Sequence, residues 1–340
     1  MSLSESASTH KSAIPDIAGE SSVSAAWKEA DTISPWQIVM LVIPLLAVGL
    51  LYWSTIGQLI EVWDKDPNYS HGFVVPFFAL GLAWIAYQRS GVFPVGNSVT
   101  RRNVIVGGVE IAAGFALHLF ALFLGQKLGL FFDVAALIFM LRGTVLALGG
   151  PTASAAYGFP LLFLIFMAPL PPQVYDPIAL KMQAIASIVA AGLLDFVGVP
   201  VLREGYVIQI PGHSMEVVGA CSGMRSLTAV LALAMAIGYL SGRGQAYRWV
   251  LGLLAAPVAI GVNCLRVFGT GLIMLNFGDK WATGTAHELE GVFMLGFAAL
   301  LLVGLAWFLA MIEDTYFKSP EAAPLLITAE SAAVSSVPLA

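Results

Sequence analysis

The chain has 340 residues, of which 58% are hydrophobic and only 11% charged, and its mean hydropathy is +0.85. Soluble domains carry about 25% charged residues, so this composition excludes a large soluble core and indicates an integral membrane protein. The net charge of −5 comes without any basic cluster, which removes nucleic-acid binding from consideration, and two cysteines cannot build a disulfide framework.

Residues 1–35 are rich in Ser, Ala and Glu and lack an apolar run, so they read as a disordered cytoplasmic tail with no cleavable signal. A membrane span needs about 20 mostly apolar residues. Spans are expected at 36–56, 73–87, 104–124, 128–148 and 153–170, the last of them bent at Pro160. After the proline-rich 169–172 comes 178–197, an apolar run interrupted by Lys181, Gln183 and Asp195. Three clearer spans follow at 224–240, 247–272 and 290–311, and residues 313–340 read as a second disordered cytoplasmic tail. The many glycines fall within spans, where they allow helices to approach closely.

Lys and Arg in short loops set orientation. Arg89, Arg101 and Arg102 follow the second span, and Arg243 and Arg248 stand between the sixth and seventh clear ones, so both loops should be cytoplasmic. Asp64, Asp66, Asp176, Glu204, Glu216 and Asp279 should then face the other side. The two arginine loops share a side only if 178–197 does not cross, which makes it an interfacial or re-entrant helix. The expected fold is therefore an all-α polytopic membrane protein of about eight transmembrane helices. A small outer β-hairpin is expected near 201–218, where Tyr206-Val207-Ile208-Gln209-Ile210 alternates before Pro211-Gly212.

Alternation of the last three spans carries three reactive side chains to one membrane face. Cys221 precedes the span at 224–240, in Val217-Val218-Gly219-Ala220-Cys221-Ser222-Gly223-Met224-Arg225. The unpaired N–H groups of a first helical turn favour an anion, and the thiolate is the nucleophilic form of cysteine. Arg266 lies late in the next span, three residues after Asn263, which shares its helix face and can orient it. Arginine within a span is expensive, by about 3 kcal/mol on insertion scales, so its default reading is functional. His287 heads the last span. Each has a plainer reading alone: a small buried cysteine, a snorkelling arginine, an interfacial histidine. Together they supply a nucleophile, an oxyanion stabiliser and a general acid/base, the set that acyl transfer through a thioester uses. A Cys221–Cys264 bridge is disfavoured, because Cys264 falls inside an apolar span. His71, His118, His213 and His287 show no paired spacing of the zinc type, so neither metal nor other cofactor is expected.

Ala220-Cys221-Ser222-Gly223-Met224-Arg225-Ser226, Asn263-Cys264-Leu265-Arg266-Val267 and His287, in that order, resemble the exosortase/archaeosortase family. Asp66-Pro67-Asn68-Tyr69-Ser70-His71-Gly72, Leu170-Pro171-Pro172, Gly198-Val199-Pro200-Val201 and Glu204-Gly205 are similar to its earlier motifs, so the likeness covers about 36–312. One departure is Cys264, where an aliphatic residue is expected. The resemblance implies a cysteine-dependent protease or transpeptidase of the bacterial cytoplasmic membrane, with its site on the outer face. Its implied partners are membrane lipids and secreted proteins ending in a PEP-CTERM-type signal, made of a short motif, a transmembrane helix and a basic tail. It implies Cys221, Arg266 and His287 as catalytic residues. Arg225, Asn263, Tyr69, Ser70 and His71 are expected around the substrate, although Arg225 could instead pair with Glu216, and the 69–71 stretch could be a hydrated turn. The rival class is a transporter or an assembly factor for envelope polymers. Glu110, Asp133 and Arg142 read either as internal pairs that hold the bundle or as functional groups.

Overall fold

The computed structural model describes residues 34–96, 99–217, 223–278 and 285–316, without the side chains at 285–290, 292 and 316. Of the tails expected at 1–35 and 313–340, residues 34–35 open the first helix and 313–316 close the last, and the remainder, together with Cys221 and Asp279, lies outside the described residues.

Helix α1 (Pro35–Leu51) opens with a capping box between Ser34 and Gln37 and with proline in its first turn. It continues into α2 (Trp53–Lys65) across a 65° bend. A 3-10 segment at Pro67–Phe73, opened by the Asp66 side chain accepting from Asn68 N–H, leads into α3 (Val75–Ser90). That helix stops at Gly91 in the left-handed region (φ 64°). Next come α4 (Arg101–Ala121), α5 (Gln126–Phe163) and α6 (Pro172–Phe196). Strands β1 (Leu202–Glu204), β2 (Val207–Ile210) and β3 (His213–Glu216) precede α7 (Met224–Leu240), α8 (Gln245–Phe277) and α9 (Thr285–Tyr316). Six helical stretches are long and apolar enough to cross a membrane, and the bent α1–α2 pair adds a seventh.

The 38 residues of α5 do not form one rod. Gly150 has φ 76° and ψ −174°, and Pro151 follows it. Lys127, at the start of the segment, reaches Asp66 at 3.0 Å. The carbonyl of Met167, past its end, accepts from Trp63 Nε1 at 2.9 Å. Asp66 and Trp63 are neighbours in the chain, so both ends of 126–167 come to the same place and the segment is a helical hairpin. The two spans expected at 128–148 and 153–170 are its legs. The expected bend at Pro160 is corrected: Pro160 lies within regular helix, and the break is at Gly150, where positive φ and the following proline end one leg and begin the next. Gly149 is pressed against the Pro94 carbonyl, which an added Cβ would approach to 2.1 Å. Gly149→Ala should therefore destabilise the protein by about 1–3 kcal/mol through overpacking against backbone, read as a lower melting temperature in detergent. Gly158→Ala is the matching control, because nothing lies within 4 Å of an added Cβ there. The first leg packs tightly on α4, since a Cβ on Gly107 would stand 2.5 Å from the Gly143 carbonyl and one on Gly143 would stand 2.7 Å from the Gly107 carbonyl.

The polar residues of these helices are paired internally. Arg142 donates to Glu110 at 2.8 Å, Asp133 accepts from Thr55 at 2.6 Å, and His118 Nδ1 contacts the other Asp133 oxygen.

Helix α6 is long and apolar enough to cross, but its packing places it at one end of the bundle. Ile178, Ala179 and Met182 cluster with Met224, Leu227 and Ile260, and Ala186, Ala190 and Leu194 cluster with Cys264, Val267 and Met274. Along its length α6 thus follows the second half of α8, from Ile260 to Met274, and rises beyond Met224, where α7 begins. The strands lie over the same region, with Ile208, Ile210 and Met215 in that second cluster. They form one antiparallel sheet in the order β1-β2-β3. It is the expected hairpin plus one strand, because Gly205 and Gly212 (φ 64° and 79°) each permit a tight turn. Among the described residues, the α1–α2 pair, α3, α4, α5, α6, α8 and α9 have the length and apolarity of a span, and α7, with 17 residues, is a shorter apolar helix.

The two ends of the bundle differ in charge. Arg89 donates to the carbonyls of Tyr239 and Leu240 at the end of α7, at 2.9 and 2.5 Å. Arg243 pairs with Glu313 and Asp314 at the same level. Arg101 and Arg102 start α4 beside the 149–150 turn. The opposite end holds Asp66, Asp176 and the β-sheet.

Candidate active site

At the sheet-bearing end a cavity of about 430 Å³ opens between the 3-10 segment, α3, α7, α8 and α9. Its mouth is polar, lined by Ser70, His71, Arg225 and Arg266. Its depth is apolar, with Phe78, Ala229, Ala232, Leu233 and Ala236 following α7 inward. Ala229 to Ala236 is seven residues, or about 10 Å of helix, so the cavity runs as a groove along the bundle axis.

Arg266 is set by the long α8 and is 5% exposed. Its guanidinium lies against α9 where Gly291 leaves room: an added Cβ there would sit 3.6 Å from Nη2. Position 287 stands one turn before Gly291 on that helix, and the His287 side chain lies outside the described residues. Asn263, one turn before Arg266, is 1% exposed. It packs on Gly223, whose φ of 73° opens α7, and an added Cβ on Gly223 would stand 2.7 Å from the Asn263 amide and 2.8 Å from Met182. Gly223 follows Cys221 by two residues, and Cys221 itself is not described. Cys264 is a buried free thiol on the α6–sheet side of α8.

Among the 66–71 residues, Ser70 and His71 reach the cavity and Tyr69 does not. Tyr69 is 3% exposed, donates to the Leu170 carbonyl at 3.5 Å and carries Lys127 over its ring. His71 Nε2 donates to the Phe166 carbonyl at 3.1 Å, which ties the mouth of the groove to the second leg of the hairpin. Burial disfavours ionisation of Asp66, but hydrogen bonds from Lys127 and Asn68 outweigh it and hold the carboxyl below the usual carboxylate range. The remaining lining residues escape sequence reasoning, Gly291 and Phe78 among them. Gly291 carries no chemistry of its own, and the one available signal is its spacing of one turn from His287. Phe78 reads as one apolar residue in an apolar span.

A helical bundle of crossing legs, capped at one end by a short helix and sheet over a groove whose mouth carries two arginines, defines a polytopic membrane protein with a cationic site at one face. A family model described as transmembrane exosortase matches residues 63–304. That is well over half of the chain, and the protein belongs to the transmembrane exosortase family. No match was found among curated proteins or solved structures.

Proposed function

We propose that the protein is a cysteine-dependent membrane transpeptidase or protease that processes C-terminal sorting signals of secreted proteins at the outer face of the bacterial cytoplasmic membrane. The observation that carries this reading is the setting of Arg266. It is a cation buried at the mouth of an apolar groove, between an asparagine packed beside the start of α7, the helix that follows Cys221 in the chain, and the Gly291 turn that follows position 287.

In this reading the Cys221 thiolate attacks the scissile carbonyl and Arg266 stabilises the oxyanion. His287 protonates the leaving amine as the C–N bond breaks. An amine acceptor or water then attacks the thioester, giving up a proton to His287 and returning the thiolate. Arg225, Ser70 and His71 contact the substrate beside the scissile bond, and Asn263 orients Arg266. The five arginines gathered at the opposite end of the bundle support a cytoplasmic assignment for that end, which leaves the groove mouth outside. The transporter reading calls for polar groups along a path at mid-depth. The mid-depth lining of the groove is apolar, and the His118–Asp133 pair is turned inward elsewhere in the bundle.

Intact cells treated with a membrane-impermeant maleimide test the reading. Labelling that is lost in Cys221→Ser is the expected result, with the buried Cys264 as the silent thiol. Labelling of Cys221 only after permeabilisation would overturn the outer-face assignment and the mechanism with it.

A further inference from the structure

A second and larger cavity, of about 1,090 Å³, lies at the other end of the bundle. It opens between α4, both legs of α5, α7 and the start of α8, and it shares no lining residue with the groove. Arg89, Arg142 and Arg248 line it together with Glu110, and Phe139 and Leu162 form an apolar flank. Both of these side chains are widely exposed, at 44% and 51%. Three guanidiniums against one carboxylate leave a net positive site beside that apolar flank.

Two of the lining side chains keep a polar atom without a hydrogen bond, each shielded from the open space of the cavity. Arg248 is held mainly by stacking, with its guanidinium carbon 5.0 Å from the Tyr239 ring centre and 5.7 Å from that of Phe159. Its hydrogen bonds to Gln245 and to the Arg243 carbonyl are long, at 3.5 and 3.4 Å. Its Nε is buried with no hydrogen-bond partner among the described residues. The Glu110 oxygen that does not receive Arg142 is buried in the same condition. Such groups cost free energy unless something pairs with them. A ligand that matches this lining presents an acceptor of negative charge to the arginines, a hydrogen-bond donor to Glu110, and an apolar portion to Phe139 and Leu162. A phospholipid with a phosphate and a hydroxylated headgroup has all three, and basic pockets between transmembrane helices are recurrent sites for anionic headgroups.

We propose that this cavity is a binding site for an anionic phospholipid of the phosphatidylglycerol class. The phosphate is held by Arg248 and Arg142, a headgroup hydroxyl donates to Glu110, and the acyl chains lie over Phe139 and Leu162. A basic peptide segment is a poor occupant because it meets the same three arginines.

The test uses the purified full-length protein in non-ionic detergent, titrated with phosphatidylglycerol, phosphatidylethanolamine, phosphatidylcholine or inorganic phosphate. Bound lipid is read by native mass spectrometry and protection by melting temperature. The expected result is retention of phosphatidylglycerol at least about ten-fold above phosphatidylcholine, falling roughly five-fold in Arg248→Gln. The double variant Glu110→Gln/Arg142→Gln removes an ion pair without leaving a lone charge, and it should lower the same preference. Arg243→Gln, whose partners are Glu313 and Asp314 outside the cavity, should not. Equal retention of phosphatidylglycerol and the zwitterionic lipids would overturn the proposal. So would a preference unchanged in both cavity variants, or protection by inorganic phosphate to which lipid adds nothing.

Discussion

Cys221→Ala is expected to reduce processing of a sorting-signal substrate by at least a thousand-fold while leaving the amount of folded protein unchanged. The size of the effect follows from the proposed role. Without the thiolate there is no acyl-enzyme, and the groove can only hold the scissile bond near water. A thousand-fold corresponds to about 4 kcal/mol of lost transition-state stabilisation, and removal of a covalent nucleophile elsewhere costs more than this. Stability should be spared because the packing of this region rests on its neighbours. Met224 and Val217, on either side of the cysteine segment, are buried at 1% and 0% exposure in separate clusters. Cys221→Ser is the sharper comparison, since it keeps the size and supplies a hydroxyl, a much weaker nucleophile than the thiolate at neutral pH. The assay is co-expression with a secreted protein carrying such a signal, followed by the ratio of processed to unprocessed product. Processing that survives either substitution would remove the thioester from the mechanism.

The division of the chain into spans is legible in the sequence, because twenty apolar residues in a row have few other uses. Charge alternation reached further. Placing Arg89 and Arg243 on one side required that 178–197 not cross; the structure packs this helix along the second half of α8 and gives it the length and apolarity of a span. What the sequence hides is pairing at long range. Nothing in Lys127 or Trp63 alone announces that they mark the two ends of one hairpin, since each needs a partner distant in the chain. The break at Gly150 is visible in the dipeptide Gly149-Gly150 before Pro151, but Pro160 gave a competing and stronger local signal. The third strand was missed because β1 is three exposed residues with no burial alternation to read. Of the eight residues expected at the site, Ser70, His71, Arg225 and Arg266 line one cavity, Asn263 supports it and Tyr69 packs beneath. Cys221 and the His287 side chain are not described. The arginine-lined cavity at the other end was invisible for the same reason as the hairpin. Arg89, Arg142 and Arg248 come from three separate segments, and only the fold brings them together.

Arg266→Gln is expected to lower kcat by about a hundred- to a thousand-fold with little change in KM. That range is what the loss of one oxyanion donor costs in acyl transfer. The KM clause separates two roles for this residue. A group that stabilises only the developing oxyanion acts in the transition state, so its loss appears in kcat, whereas a group that binds a substrate carboxylate equally in both states appears in KM. Arg225→Gln is the companion: Arg225 lines the same cavity at the start of α7, and in the substrate-binding role its loss raises KM. Arg266→Lys should recover part of the activity, because the charge is kept while the planar fork is lost. The side chain is buried, so a melting curve on each variant is needed to separate catalysis from folding. Gly291→Leu offers an independent check, since it fills the space beside the guanidinium without touching the charge. It should cut kcat by displacing Arg266, and a variant with normal kcat would detach the α9 turn from the site. If Arg266→Gln instead raises KM and leaves kcat intact, the arginine binds substrate and the oxyanion donor must be sought elsewhere at the groove mouth.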